Sequence, residues 1–229
     1  MPGSEPRQSP PQATGGPSFR HTKRRRLKGY RKPRRTKDQK QNFKVMHWNA
    51  EWVYNKKTEL QHFLHEKDIN VCCIQETHLQ PAKSFKVRGY QCFRSDRVGR
   101  KKGGILTLVR NNINAFQTKT HMDDSEFQVL SLRKNDFSLT LVNYYSPQDK
   151  TLSLDKIPTD DTNIIIVGDF NSHSQSWGYD HIDNRGDEVE TWQDDRKLIL
   201  INKPDDQPTF YSRRWHTTTT PDLAFCTVY

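Results

Sequence analysis

Asp169 and Asn171 stand two residues apart at the end of Ile164-Ile165-Ile166-Val167-Gly168, four β-branched residues and a glycine. Such a run reads as a strand buried on both faces, and period-2 alternation puts the carboxylate and the carboxamide on one side of its end. Gly-Asp-x-Asn also suits a strand closed by an Asx turn, and both readings stand on this stretch alone. Other expected strands also end in polar groups: Asn49 after Phe43–Trp48, Glu76 after Ile69–Ile74, and Tyr145 after Leu139–Tyr144. Gathered at one sheet edge, such groups meet the needs of metal-dependent phosphoryl transfer. Mg²⁺ takes one or two carboxylates and keeps several waters. A further carboxylate orients or deprotonates the attacking water, and neutral donors stabilise charge on phosphorus-bound oxygens.

The elements that would hold these residues follow from patterning. Lys57–Lys67 places Leu60, Phe63 and Leu64 at helical spacing, so an amphipathic helix is expected there. Strands are expected at 91–95, 104–110, 127–132, 139–145 and 163–168, a helix at 187–200, and short strands at 208–212 and 221–226. Many strands, several in adjacent runs, and few helices predict an α/β sandwich of two packed mixed sheets with polar strand ends at one edge.

Charge divides the chain. The 229 residues carry a net +10, yet residues 1–42 hold 13 Lys+Arg against 2 Asp+Glu, which leaves 24 basic and 25 acidic residues beyond them. Residues 1–42 lack apolar periodicity and are expected to form a disordered basic tail, and 43–229 the folded domain. The clusters at 23–26 and 31–35 suit nuclear import or attraction to DNA or RNA phosphates, or a solvated charge run. No apolar run reaches a membrane-spanning length, and residues 1–20 show no secretory signal pattern. The cysteines at 72, 73, 92 and 226 lack the spacing of a zinc site or disulfide framework and read as free thiols of a reducing compartment, the nucleus or the cytoplasm.

Val71-Cys72-Cys73-Ile74-Gln75-Glu76-Thr77-His78-Leu79, Asn143-Tyr144-Tyr145-Ser146-Pro147 and Gly168-Asp169-Phe170-Asn171 resemble the motifs of the endonuclease/exonuclease/phosphatase superfamily. Ser176-Trp177-Gly178, Asn184-Arg185-Gly186, Pro208-Thr209-Phe210 and Pro221-Asp222-Leu223 are similar to the endonuclease domain of jockey-type non-LTR retrotransposons, and the resemblance runs from Phe43 to Tyr229. It implies a four-layer α/β sandwich, two packed mixed sheets flanked by helices. It also implies an Mg²⁺- or Mn²⁺-dependent endonuclease that nicks target DNA to prime reverse transcription, in a family where a reverse transcriptase is normally fused.

By the same resemblance Glu76 is the principal metal ligand, with Asn49 beside it. Tyr145 donates to the scissile phosphate, while Tyr144 faces the core. Asp169 orients the attacking water, and Asn171 stabilises the pentacovalent phosphate. Thr209 lies near the substrate groove or is an ordinary strand threonine, and His173 lines the groove. Trp177 and Trp215 sit in polar loops, where they either stack on nucleotides or pack in the core. Arg213-Arg214-Trp215-His216 is the densest basic–aromatic patch and is expected to meet DNA backbone. Asp222 matches the aspartate that orients a catalytic histidine from a later Ser-Asp-His motif, which this sequence does not contain. On that basis Asp222 is expected to have no histidine to orient, the last strand or strands of the second sheet to be missing, and 223–228 to present an unpaired apolar edge. The rival expectations are a catalytically dead DNA-binding remnant and a phosphatase of the same fold.

Overall fold

The computed structural model describes residues 42–99 and 102–227. The expected tail, apart from Asn42, lies outside the described residues, as do Arg100 and Lys101 of a basic loop. Two sheets form the body. The first has the order β1-β2-β4-β3, with β1 Val45–Asn49, β2 Val71–Gln75, β3 Tyr90–Ser95 and β4 Ile105–Arg110. The second has the order β5-β6-β7-β8-β12-β9: β5 Asn114–Met122, β6 Glu126–Lys134, β7 Phe137–Tyr145, β8 Ile164–Asp169, β12 Asp222–Thr227 and β9 Leu198–Leu200. Between β9 and β12 a hairpin projects, made of β10 Phe210–Ser212 and β11 Thr217–Thr219. Both sheets are mixed: β1–β2 and β7–β8 pair parallel, and the remaining pairs are antiparallel.

Three apolar clusters define the layers. Val71, Cys73, Val109, Leu130, Leu132, Leu141 and Val167 fill the space between the sheets. Helix α1 (Lys57–Glu66) lays Leu60 and Leu64 over Cys72, Ile74, Leu106 and Leu108 on the outside of the first sheet. Helix α2 (Asn184–Asp195) lays Val189 and Trp192 over Ile164, Ile166, Phe170 and Phe225 on the outside of the second. A sheet covered on both faces needs continuous apolar strands, which explains Val-Cys-Cys-Ile in β2 and Ile-Ile-Ile-Val in β8. The expected four-layer sandwich is therefore the fold.

Local differences have physical causes. Phe63 does not join the core face of α1: it is exposed, with Lys67 Nζ 6.0 Å from its ring centroid. Strand β5 was not expected, because Asn-Ala-Phe-Gln-Thr-Lys-Thr-His-Met lies on a sheet edge and buries little. The helix expected at 187–200 starts earlier and stops at Asp195, and Leu198–Leu200 pair instead with β12. Asp183 caps its start, accepting from Gly186 N at 2.6 Å. The edge expected at 223–228 is a correction. Leu223–Cys226 pair with β8 and Phe225–Thr227 with β9, so β12 is an interior strand.

Gly168 lets β8 approach β7. A Cβ there would stand 2.1 Å from the Tyr144 carbonyl oxygen, a contact no side chain can relieve. Register then sets the site: Tyr145 pairs with Asp169 across β7–β8, and Asp169 with Asp222 across β8–β12.

Candidate active site

The ends of β1, β2, β8 and β12 open into a cleft of about 940 Å³, bounded also by the β10–β11 hairpin. Asn49 joins the two sheets here, since its Nδ2 donates to Glu76 Oε1 at 3.3 Å and to Asp169 Oδ2 at 2.8 Å. The Tyr145 hydroxyl donates to the same Glu76 Oε1 at 2.8 Å. Glu76 thus gathers two donors on one oxygen, while its Oε2 stands 3.4 Å from His78 Nε2. Both Glu76 (φ 47°) and Asn171 (φ 47°) adopt left-handed backbone just past their strands. Non-glycine residues hold that conformation at a cost, and such strain concentrates where a site requires it.

Arg185, at the start of α2, fixes the turn after β8. Its Nε donates to Asn171 O at 2.8 Å, and its Nη2 to Phe170 O at 2.8 Å and Ser146 Oγ at 3.0 Å. Asn171 Nδ2 donates to Ser146 O at 3.0 Å, and Asn171 N to Asp169 Oδ1 at 3.1 Å. The turns carrying Tyr145 and Asp169 are thereby one hydrogen-bonded unit. Arg185 belongs to a motif the sequence resemblance includes, but its bracing role emerges only when α2 is placed against the second sheet.

Burial pushes the Asp169 carboxyl up to about 8, and the neighbouring carboxylates of Asp222 and Glu76 add to the shift. The Asn49 donor and the Asn171 amide oppose it. The Tyr145 hydroxyl is raised further by burial and by Glu76, so it is a donor at any physiological pH. Oxygen donors with concentrated negative charge suit a hard divalent cation, and Glu76, Asn49 and Asp169 can hold one. Among the described residues no three His, Cys, Asp or Glu side chains converge as a closed metal cluster.

Asp222 lies near a different histidine. His47 Nδ1, on β1, lies 3.4 Å from Asp222 Oδ1, across the gap between the sheets. Burial lowers its basicity, and the Asp222 charge works against that. His47 escaped notice because it precedes Asn49 by two residues in an ordinary strand; the same period-2 logic that aims Asn49 at the cleft aims His47 there too. Glu51 was also missed. It lines the cleft just beyond Asn49, its amide bonded to Asn49 Oδ1 at 3.3 Å.

The remaining expected residues divide. Thr209, Trp215 and His173 line the cleft, His173 stacked on Tyr179 at 4.2 Å between centroids. Arg214 places its guanidinium 4.7 Å from the Trp215 ring centroid, in the turn after Ser212 that also holds exposed Arg213. Trp177 is a correction: it is 1% exposed, its Nε1 donates to Ser172 O at 3.1 Å, and it belongs to the core under α2. Its 3-10 turn, capped by Ser174, rotates the indole inward. Tyr144 is core, as expected, its hydroxyl donating to Leu152 O. All four cysteines are free thiols, Cys72 and Cys73 buried and the other two partly so.

Known proteins share this fold. The endonuclease domain of TRAS1, a telomere-specific non-LTR retrotransposon, superposes with a TM-score of 0.66 at 24% identity, over 81% of this chain and 85% of that one. The AP endonuclease LMAP from Leishmania major gives 0.61 at 15% identity, over 81% and 79%. In sequence, the chain is 26% identical over 153 residues to a probable RNA-directed DNA polymerase from transposon X-element of Drosophila melanogaster, 62% of this chain and 16% of that protein. It is 23% identical over 176 residues to the RNA-directed DNA polymerase from mobile element jockey of the same organism, 74% and 19%. The chain thus spans less than a fifth of these relatives. The sequence model of the Endonuclease/Exonuclease/phosphatase family matches residues 46–227. With that match running from β1 to the end of β12, and the polar groups of both sheets joined in one cleft, the chain belongs to the endonuclease/exonuclease/phosphatase family, whose members hydrolyse phosphate esters.

Proposed function

We propose that this domain is a Mg²⁺-dependent DNA endonuclease that nicks target DNA for retrotransposition, leaving a 3′-hydroxyl from which reverse transcription starts. The observation that carries this reading is the hydrogen-bonded set Glu76, Asn49, Tyr145 and Asp169, contributed by both sheets to one cleft. Bound at Glu76 and Asn49, Mg²⁺ or Mn²⁺ would supply positive charge to the phosphate oxygens. Asp169, as the carboxylate, accepts a proton from the attacking water and aims the water oxygen at phosphorus. The P–O3′ bond breaks in line with the attack, and O3′ takes a proton from solvent, giving a 3′-hydroxyl and a 5′-phosphate. Tyr145 O–H and the second Asn171 Nδ2 hydrogen donate to the phosphate oxygens as charge builds on them. Asn49 Nδ2 and the Asn171 amide hold the Asp169 carboxylate in place, and Asp222 pairs with Asp169 across β8–β12.

Recognition of DNA falls to the cleft walls in this reading. Arg213 and Arg214 meet backbone phosphates, Trp215 offers an exposed ring, and Thr209 and His173 line the path of the strand. The basic residues of 1–41 add salt-sensitive attraction to DNA or RNA, and the clusters at 23–26 and 31–35 direct the protein to the nucleus. Fusion to a reverse transcriptase, as in the jockey protein, supplies the enzyme that uses the new 3′ end. The test offers two substrates to one preparation with Mg²⁺. Supercoiled plasmid is expected to become nicked circles that a DNA polymerase extends without further processing. Phosphate release from soluble inositol phosphates, with plasmid untouched, would instead make the domain a phosphatase.

A further inference from the structure

Trp52 is an exposed indole that the catalytic reading does not use. It is 58% exposed, immediately after the cleft residue Glu51, and its backbone is left-handed at φ 74° and ψ 70°. For a bulky residue that conformation is a true outlier, maintained only where surrounding bonds impose it. Here they do: Trp52 N donates to Glu76 O at 3.1 Å, Val53 N to Thr77 O at 3.2 Å, and Lys56 Nζ to Glu51 O at 3.1 Å. The turns after β1 and β2 are laced together, and the indole is fixed by them. Its ring stands edge-on to the His78 imidazole at 4.5 Å and 87°, and His78 in turn lies against Glu76. A large hydrophobic ring is thus held more than half exposed beside the turn that carries Glu76.

Lys102 lies by the same wall. It lines the cleft with Glu51 and Glu76 and is itself left-handed at φ 69°. Its loop is pinned to the Glu76 turn, because Thr77 N and His78 N donate to Gly104 O and Gly103 O at 3.0 Å each. Buried Glu126 anchors the loop from below, accepting from Gly104 N at 2.8 Å and from Arg97 Nε. Nearby, exposed Tyr54 carries Lys83 Nζ 5.6 Å from its ring centroid, a second pairing of aromatic and cation beyond the cleft. These residues follow strands of the first sheet, whereas the Arg213–Trp215 turn belongs to the hairpin between strands of the second.

We propose that Trp52 and Lys102 form a second DNA-contacting surface on the Glu76 side of the cleft, Trp52 stacking on a base or sugar and Lys102 meeting a phosphate. The occupant is the DNA strand that continues out of the cleft from the scissile phosphate. Continuity with the cleft and the pairing of an exposed ring with a cation argue for nucleic acid. The proposal rests on the DNA-endonuclease reading.

The test measures binding of the full chain to a fluorescein-labelled duplex in EDTA, which prevents cleavage, across a salt series. Trp52→Ala is expected to weaken binding roughly 5- to 150-fold and Trp52→Phe to recover most of it. Lys102→Ala should lower the slope of log K against log salt by about one. Arg213→Ala, in the hairpin turn, is measured alongside. Affinity unchanged in Trp52→Ala, with native circular dichroism and reduced affinity in Arg213→Ala, overturns the inference and leaves the DNA reading standing. No DNA binding by the unsubstituted chain, with no plasmid nicking, overturns both. Should Trp52→Ala lose its fold, the salt slope of exposed Lys102→Ala decides.

Discussion

Asp169, the proposed base, also carries a cost. Without a cation its folded-state carboxyl titrates near 8, against about 3.9 in an unfolded chain. The folded state therefore binds a proton that the unfolded state has lost. Stability from this group is complete below pH ~4 and is lost as pH rises through about 8. In EDTA the thermal midpoint is expected to fall across that window, and Asp169→Asn to flatten the decline. An unaltered pH profile in Asp169→Asn would show that the buried carboxylate does not govern it. At this scale the sequence was informative where strand endings were involved. Glu76, Asn49, Tyr145 and Asp169 were all expected at one edge, and hydrogen bonds join them. His47 was not, because its relation to Asp222 depends on how the two sheets face each other, which no local pattern encodes. Trp177 was left open between stacking and core for the converse reason: polar neighbours such as Ser174 and Gln175 hide a short capped turn that buries the ring.

Loops are held to the sheets by specific polar anchors, of which Glu126 is the clearest. It is 1% exposed, opens β6 opposite Tyr145, and binds both Arg97 and the Gly104 amide. Burial raises its carboxyl, and Arg97 opposes the rise. Glu126→Ala would leave the partly buried guanidinium and the amide unpaired. It is expected to cost on the order of 3 kcal/mol, the low end for a broken buried pair because the Arg97 side chain keeps 18% exposure. Urea unfolding measures this, and a loss under 1 kcal/mol would show that the loop is held by its backbone alone. Elements with one strong apolar signal were legible in advance, β2, β8 and α1 among them. Strand β5 was not, because an edge strand needs no apolar alternation, and neither was β9, whose three residues continue the apolar texture of the preceding helix. The interior position of β12 follows from β9 returning beside it, a long-range pairing outside the reach of periodicity.

At the scale of the whole molecule, charge and fold are separated along the chain. Residues 1–42 hold the excess of basic charge, and the remainder is nearly neutral. Non-specific attraction to DNA should then depend on the basic segment more than on the cleft. Deleting residues 1–41 is expected to lower the salt slope of DNA binding by several units while the nicking rate at saturating DNA changes little, since each neutralised phosphate contributes about 0.9 to the slope. An unchanged slope would assign the attraction to the folded part. Hydrolysis of DNA in the cleft joining the two sheets, with Asp169 as the proposed base, is read out by plasmid nicking. With Mg²⁺, the chain is expected to convert supercoiled plasmid to nicked circles, and Asp169→Ala to lose at least about 10²-fold in rate. Equal, background-level nicking by both proteins would instead make the domain a DNA-binding remnant.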